Sequence, residues 1–324
     1  MSENLKITVL SMCYNKADTI QRCYESLRRQ TCLDFEWVIV NDGSTDNVLE
    51  IASSFKDDLF PIKFIDKPNE GIAPTWNRGI KESSGEYIFR VDPDDFVYKD
   101  AIRLIVEYSA QVEVDSRLCG LVFLSTFEDG SLVGYHPFTE EVVRSNFIEF
   151  RMKYKAVGDR AEVCKRSVFI KTPWPNYPQE KFYPESVMWN SIGCKYDVLY
   201  VQKAIYIREY GDTCISANNS AVMRRNPLGY MDSRVSYLKI SSAYPFDWYR
   251  FKWVFCAGCN YFRYGLYSDM KLGKMIGRLP LYCVLLTILP GIVMHWVDRY
   301  FPNFIHSVVS FLSNKNSILK RNRT

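Results

Sequence analysis

Only three histidines occur in 324 residues, and the one close cysteine pair, Cys256 and Cys259, has no second pair to join it. That leaves no ligand set for a zinc finger or ribbon, and the pair is expected to pack within a helix of an aromatic-rich segment. The other cysteines of the ten scatter through apolar runs, as at Cys13, Cys23, Cys119 and Cys283, which is how reduced cytosolic thiols are used. No disulfide framework is expected. Residues 1–15 carry no basic leader, and their apolar run is too short for a secretory signal, so the chain is expected to begin in the cytoplasm. No glycine-rich basic phosphate loop follows the first apolar run, which argues against a nucleotidyltransferase. There is no internal repeat and no low-complexity tract.

What is present is enough apolar residue, 47%, for a real core, and a charge that divides along the chain. From Met231 onward 13 Lys/Arg stand against 4 Asp/Glu, a net +9, while residues 1–230 carry 28 against 33, a net −5. The acidic part suits metal chemistry. The basic part suits anionic lipid, with no nucleic acid expected as a partner. Along the acidic part, short β-branched runs alternate with helical periodicity. Ile7–Cys13, Phe35–Val40, Ile62–Ile65 and Tyr87–Val91 read as strands, and helices follow around Ile20–Leu27, Val48–Ile51 and Asn69–Ile80. Alternation of this kind implies an α/β fold with a mainly parallel sheet, and ligands bind beyond the carboxyl ends of such strands. Tyr14 and Asn15, Asp42, and Asp92 with Asp94 all fall there. The stretch from Ala101 to Tyr210 mixes a helix, β-like runs such as Leu121–Phe127 and a proline-rich loop from Thr172 to Pro184. Three divisions are therefore expected: residues 1–100, 101–230 and 231–324.

Asp92-Pro93-Asp94-Asp95, at the end of a buried strand, is the sharpest feature. Hard carboxylate oxygens are what Mg²⁺ or Mn²⁺ needs when it also binds phosphate oxygens. A solvated turn capping the next helix is the plainer reading, which the position after the fourth strand and beside the Asp42 loop disfavours. Asn15, Asn41 and Ser44 are expected to satisfy turn backbone groups. Asp159, Arg160 and Glu162 fit either a pocket wall or a local ion pair.

Five segments, CYNK at 13–16, SLRRQT at 26–31, FEWVIVNDGSTDN at 35–47, NEGIAPTWNRGI at 69–80 and SGEYIFRVDPDDF at 84–96, together resemble glycosyltransferase family 2, of GT-A fold. Two more, GDRAEVCKRSVF at 158–169 and QEKFYPESVMWNSIG at 179–193, resemble a bacterial subgroup engaged in cell-surface polysaccharide synthesis. The resemblance implies an inverting transferase using a nucleotide-diphosphate sugar, UDP-sugar favoured, with Mn²⁺ or Mg²⁺, on a glycan or polyprenyl-linked acceptor. Tyr14 would pack on the donor base, Asp42 bind the nucleoside, Asp92 the ribose and metal, and Asp94 the metal as principal ligand, with Asp95 holding the loop. Glu185, at a helix start after Pro184, would be the catalytic base, with Glu180 competing. Many relatives carry Ala-Arg-Asn where this chain has Thr75-Trp76-Asn77, so their basic donor contact has only Arg78 nearby to replace it. They also tend to carry Arg where Ser191 stands here. A catalytically silent transferase-like scaffold at the membrane is the alternative from another class.

Leu279–Val297 contains no Asp, Glu, Lys or Arg and is long enough to approach a bilayer span. Pro290-Gly291 at its middle and basic residues on both flanks, including Lys315, Lys320, Arg321 and Arg323, favour a broken helix or hairpin dipping into the cytoplasmic leaflet over a span or an ordinary buried or partner-covered helix pair.

Overall fold

The computed structural model describes residues 6–301 apart from 57–58, 136, 210–218 and 246. The basic tail residues Lys315, Lys320, Arg321 and Arg323 lie outside the described residues. The chain divides into two compact units, residues 1–219 and 220–324.

The first unit begins with β1 (Ile7–Cys13), α1 (Ile20–Arg28), β2 (Phe35–Asp42), α2 (Val48–Ser54), β3 (Ile62–Lys67), α3 (Ile72–Glu82) and β4 (Tyr87–Arg90). It continues through β5 (Phe96–Val97), α4 (Ala101–Glu113), β6 (Leu118–Phe127), β7 (Val142–Ser145), α5 (Phe147–Met152), β8 (Ala161–Lys165), α6 (Arg166–Lys171), α7 (Ser186–Gly193) and β9 (Asp197–Arg208). The sheet has the order β3-β2-β1-β4-β8-β6-β9-β5, with β7 paired to β9. β3, β2, β1 and β4 are mutually parallel, whereas β8 runs antiparallel to both β4 and β6.

β1 and β2 are buried on both faces, which is why they read as continuous apolar runs. Alternate residues feed two cores. Ile7, Val9 and Cys13 pack with α1, α2 and α4 residues such as Leu27 and Ile105, while Leu10 packs with Trp76 and Ile80 of α3 and Phe169 of α6. Helices thus cover both faces of a central sheet. Parallel pairing of Cys13 with Asn41, and of Leu10 with Arg90, brings the carboxyl ends of β1, β2 and β4 to one edge.

The second unit contains α8 (Asn219–Arg225), α9 (Pro227–Ser241), α10 (Trp248–Gly265), α11 (Leu272–Ile276) and α12 (Leu281–Tyr300). The break expected at Pro290-Gly291 is corrected here: α12 continues through both residues. Proline removes one amide donor, but Gly291 lets the helix approach α10 so closely that a Cβ there would lie 2.6 Å from Phe262 Cβ. Packing against α10 offsets the lost hydrogen bond. The Cys256 and Cys259 pair lies within α10, and every described cysteine is a free thiol.

Candidate active site

The β1 end places Tyr14 at the surface, 49% exposed, with Asn15 in the left-handed region at φ 53°. Asparagine tolerates that conformation because its side chain bonds locally. Thr45 N–H donates to Asn15 Oδ1 at 2.8 Å, Asn15 N–H donates to Ser44 Oγ at 2.9 Å, and Ser44 Oγ donates to Asn41 Oδ1. These three polar residues therefore tie the β1 and β2 loops together.

Asp42, almost fully buried, ends β2. Its carboxylate accepts from Glu70 N–H and Gly71 N–H, both at 2.9 Å, and from Lys67 Nζ at 2.5 Å. Gly71 has φ 97°, and a Cβ there would lie 2.3 Å from the Lys181 carbonyl oxygen, so only glycine fits. Asp42 thus fixes the turn that launches α3. Asn77 of α3 exchanges two hydrogen bonds with the Trp174 backbone, at 2.7 and 2.9 Å, while Arg78 pairs outward with Glu82 at 3.1 Å. The cations that do face the loops include Lys16, Lys67, Arg90, Arg208 and Arg22, whose Nη2 donates to the Asp94 carbonyl at 3.2 Å.

The Asp92–Asp95 loop divides its carboxylates among separate tasks. Asp95 is buried and holds the loop to β9, accepting from Tyr206 Oη at 2.8 Å and Glu209 N–H at 2.9 Å. Burial and the Asp92 charge push its carboxyl up to about 7. Asp92 is gripped by Arg90 through Nε at 2.7 Å and Nη2 at 3.1 Å, with Arg208 Nη1 3.9 Å away. Burial works to raise the Asp92 carboxyl, but Arg90 and Arg208 outweigh it and hold it below the usual range. Asp94 is the outward member, partly exposed and paired with Lys16 Nζ.

Arg90 has a second partner. Its Nη1 donates to Glu185 Oε2 at 2.8 Å, so one guanidinium joins the aspartate loop to the start of α7. Glu185 is the N-cap residue of α7 yet makes no side-chain capping bond. The carboxylate is directed to Arg90 instead. Glu180 is buried. Arg160, also buried, donates to the carbonyls of Val133 at 2.8 Å and Tyr135 at 3.0 Å, a bracing role, while Asp159 lies 4.0 Å from Arg208. Glu162, on β8, is desolvated, and that together with the Glu185 charge pushes its carboxyl up to about 8.

That raised value sets a stability signature. A folded-state carboxyl near 8 against an ordinary 4.5 keeps its proton where the unfolded chain loses it, so stability falls as pH rises between the two values. Glu162→Gln should flatten this decline, with a melting-temperature loss across the window smaller by on the order of 10 °C. Thermal melts at stepped pH read it directly. An unchanged slope would remove Glu162 as its source.

Arg90, Lys16, Lys67 and Arg208 escaped the sequence reading, whereas Glu162 is named there as a pocket-wall or ion-pair residue. Arg90 left a signal, a lone cation inside the apolar run YIFRV. Lys16 stands in the quoted CYNK segment. Arg208 comes from the far end of β9, and nothing local marks it.

Mg²⁺ and Mn²⁺ bound to a diphosphate take most ligands from phosphate and water, and one or two protein carboxylates suffice. Among the described residues no group of three or more His, Cys, Asp or Glu converges on a point. Asp94 fits the lesser demand, since Lys16 is its side-chain partner and a cation can replace a cation. Asp92, gripped in two places by Arg90, could join only by releasing one bond.

Comparison with known proteins places this geometry. The chain is 34% identical over 119 residues to the uncharacterized glycosyltransferase YibD of Escherichia coli K12, a match covering 37% of this chain and 35% of that protein. The structure of residues 1–349 of S. aureus TarS in complex with UDP-GlcNAc superposes with TM-score 0.59 at 16% identity, covering 91% of both chains. The mannosyltransferase PcManGT of Pyrobaculum calidifontis, in complex with GDP-Man and Mn²⁺, gives 0.50 at 13% identity, covering 93% of this chain and 88% of that one. At such identities the two structures speak for the GT-A fold alone. The model of glycosyl transferase family 2 matches residues 8–165, just under half of the chain and the span holding β1 through β8 with the Asp42 and Asp92–Asp95 loops.

Proposed function

We propose that the protein transfers a sugar, with inversion at the anomeric carbon, from a nucleotide-diphosphate donor, UDP-sugar favoured, to a hydroxyl of a glycan or polyprenyl-linked saccharide. The setting proposed is cell-surface polysaccharide synthesis at the cytoplasmic face of a membrane. One observation carries the reading: the Arg90 guanidinium lies between Asp92, on the proposed donor side, and Glu185, at 2.7 and 2.8 Å. A sugar seated over Arg90 would have the nucleotide on one side and a carboxylate on the other, which direct displacement requires.

In the step proposed, the acceptor oxygen attacks the anomeric carbon as Glu185 takes its proton. The bond from that carbon to the donor phosphate oxygen breaks, and the nucleoside diphosphate leaves with the electron pair. Tyr14 offers an exposed ring for the base, and Asp42 keeps the neighbouring turn in place to receive the nucleoside. A Mn²⁺ or Mg²⁺ ion held by Asp94 would supply charge neutralisation to the departing diphosphate. Lys16 and Arg208 add fixed positive charge nearby. Of the basic donor contacts, Arg78 is the least suited, being turned to Glu82.

A panel of nucleotide sugars tested by thermal shift with Mn²⁺, followed by nucleotide-release assays, tests the reading. The matching donor at about a hundred times its Kd should stabilise the fold by ~2.7 kcal/mol, or roughly 5–10 °C. No stabilising donor would overturn it. Binding without nucleotide release in the presence of glycan or lipid-linked acceptors would favour the silent scaffold.

A further inference from the structure

In the second unit, α12 keeps one face for its neighbours and leaves the other bare. Cys283, Val284, Thr287, Gly291, His295 and Asp298 are buried. Among them, Asp298 takes two hydrogen bonds from Arg263 of α10 at 2.6 and 2.7 Å, and His295 Nδ1 lies 3.1 Å from the Arg263 carbonyl. The opposite face exposes Leu281, Leu285, Leu289, Val293, Trp296 and Tyr300, at spacings of four, four, four, three and four, with Tyr282 and Leu286 beside them. Leu281, Leu285 and Leu289 are each 70% exposed. A helix of 20 residues carries this stripe for about 30 Å, far more apolar surface than a soluble monomer usually shows.

We propose that this face of α12 docks lengthwise into an anionic lipid leaflet, without crossing it. Two observations select lipid as the occupant. The stripe has Tyr282 at its start and Trp296 and Tyr300 at its end, the side chains that settle at headgroup depth. Among the exposed charges of the second unit's described residues, the cations Arg225, Lys239, Lys252, Lys271, Lys274 and Arg299 outnumber Asp247 and Asp269, and residues 302–324 contain Lys and Arg but no Asp or Glu. Positive charge of that density is attracted to anionic headgroups.

The packing of α10 and α12 argues against crossing. Gly258 lies against Thr287, Phe262 against Gly291, and Arg263 against Asp298, so the two helices run in the same direction. The connector between them must therefore return alongside, and α11 does so, with Met275 against Gly265 and its carbonyl accepting from Tyr261 Oη at 3.0 Å. Lys271 and Lys274 are exposed on that return. A spanning α12 would carry the lysines of its own connector into hydrocarbon, whereas a helix lying flat keeps them at the surface.

The test uses the full chain and vesicles of phosphatidylcholine with or without phosphatidylglycerol, read by flotation. The wild type should float with anionic vesicles, and the double variant Leu285→Glu/Leu289→Glu should lose binding by at least roughly tenfold. Both positions point outward, so its circular dichroism and melting temperature should match the wild type. Leu289→Trp should show added fluorescence quenched most by bromine at shallow acyl positions. Wild type that stays down, or a double variant that floats equally, overturns the proposal. So does quenching strongest from the bilayer centre, which means a span. A lipid-indifferent dimer that the double variant dissociates, seen by light scattering, assigns the face to a second copy. None of these readouts depends on transferase activity.

Discussion

Glu185→Gln is expected to lower turnover by about 10³-fold while leaving donor affinity within a few-fold of wild type. The amide keeps the size and position of the carboxylate and can still accept from Arg90 Nη1, so the helix start and the aspartate loop should remain in place. What it cannot do is take the acceptor proton. Loss therefore falls on kcat, because the interaction removed matters when the hydroxyl proton moves. Besides Glu180, Glu162 is a competing carboxyl, since its charge couples to that of Glu185. Its carboxyl, pushed up to about 8, stays mostly protonated at neutral pH and is a poor base there. Glu162→Gln should accordingly cost less than tenfold. Arg90→Ala belongs between the two, at about 10²-fold, because it frees Glu185 without removing it, and a misplacement of 1 Å is enough for such a loss. Steady-state kinetics with the donor found by the panel give all three. The reverse ranking, with Glu162→Gln silent enzyme and Glu185→Gln active, moves the base to β8, and a large effect of Glu180→Gln alone moves it to the loop before α7.

The sequence and the structure agree most where short-range chemistry decides the outcome. β1, β2 and β4 were legible because strands buried on both faces must be apolar throughout, and their carboxyl ends had to carry Tyr14, Asp42 and the aspartate loop, while β3, a half-exposed edge strand, showed only in its short Ile62–Ile65 run. The antiparallel β8 between β4 and β6 was not legible, since five residues, AEVCK, carry no sign of which neighbours they join. Site residues follow the same division. Motif carboxylates could be named from local context, but Arg208, which reaches Asp92 and Asp95, comes from the distant β9, and the electrostatic link of Glu162 on β8 to Glu185 had no local sign. Asp92 shows the consequence. From sequence it reads as a free ligand, whereas in the fold two guanidinium groups already compensate its charge. α12 shows the opposite error, since a local Pro-Gly signal for a break is overridden by close packing against α10.

Asp94→Ala is expected to lower turnover by about 10³-fold and to remove the stimulation by Mn²⁺ or Mg²⁺. Wild-type activity should vanish with a chelator and return with either ion. Among the loop carboxylates, Asp95 is committed to Tyr206 and the Glu209 amide, and Asp92 to Arg90, leaving Asp94 with Lys16 as its partner. Asp94 and Lys16 are each about one-third exposed, so their pairing is worth at most ~1 kcal/mol, little enough for a divalent ion to displace. A second consequence is specific to this pairing. Lys16→Ala should tighten metal binding in the presence of nucleoside diphosphate by up to about fivefold, since the ion no longer has to expel an ammonium. Titration calorimetry with Mn²⁺ and UDP measures that change separately from turnover. If Lys16→Ala instead weakens metal binding, the lysine assists the ion through the diphosphate rather than standing in its place. Full activity of Asp94→Ala after metal depletion would show that Lys16, Arg90 and Arg208 neutralise the leaving group unaided.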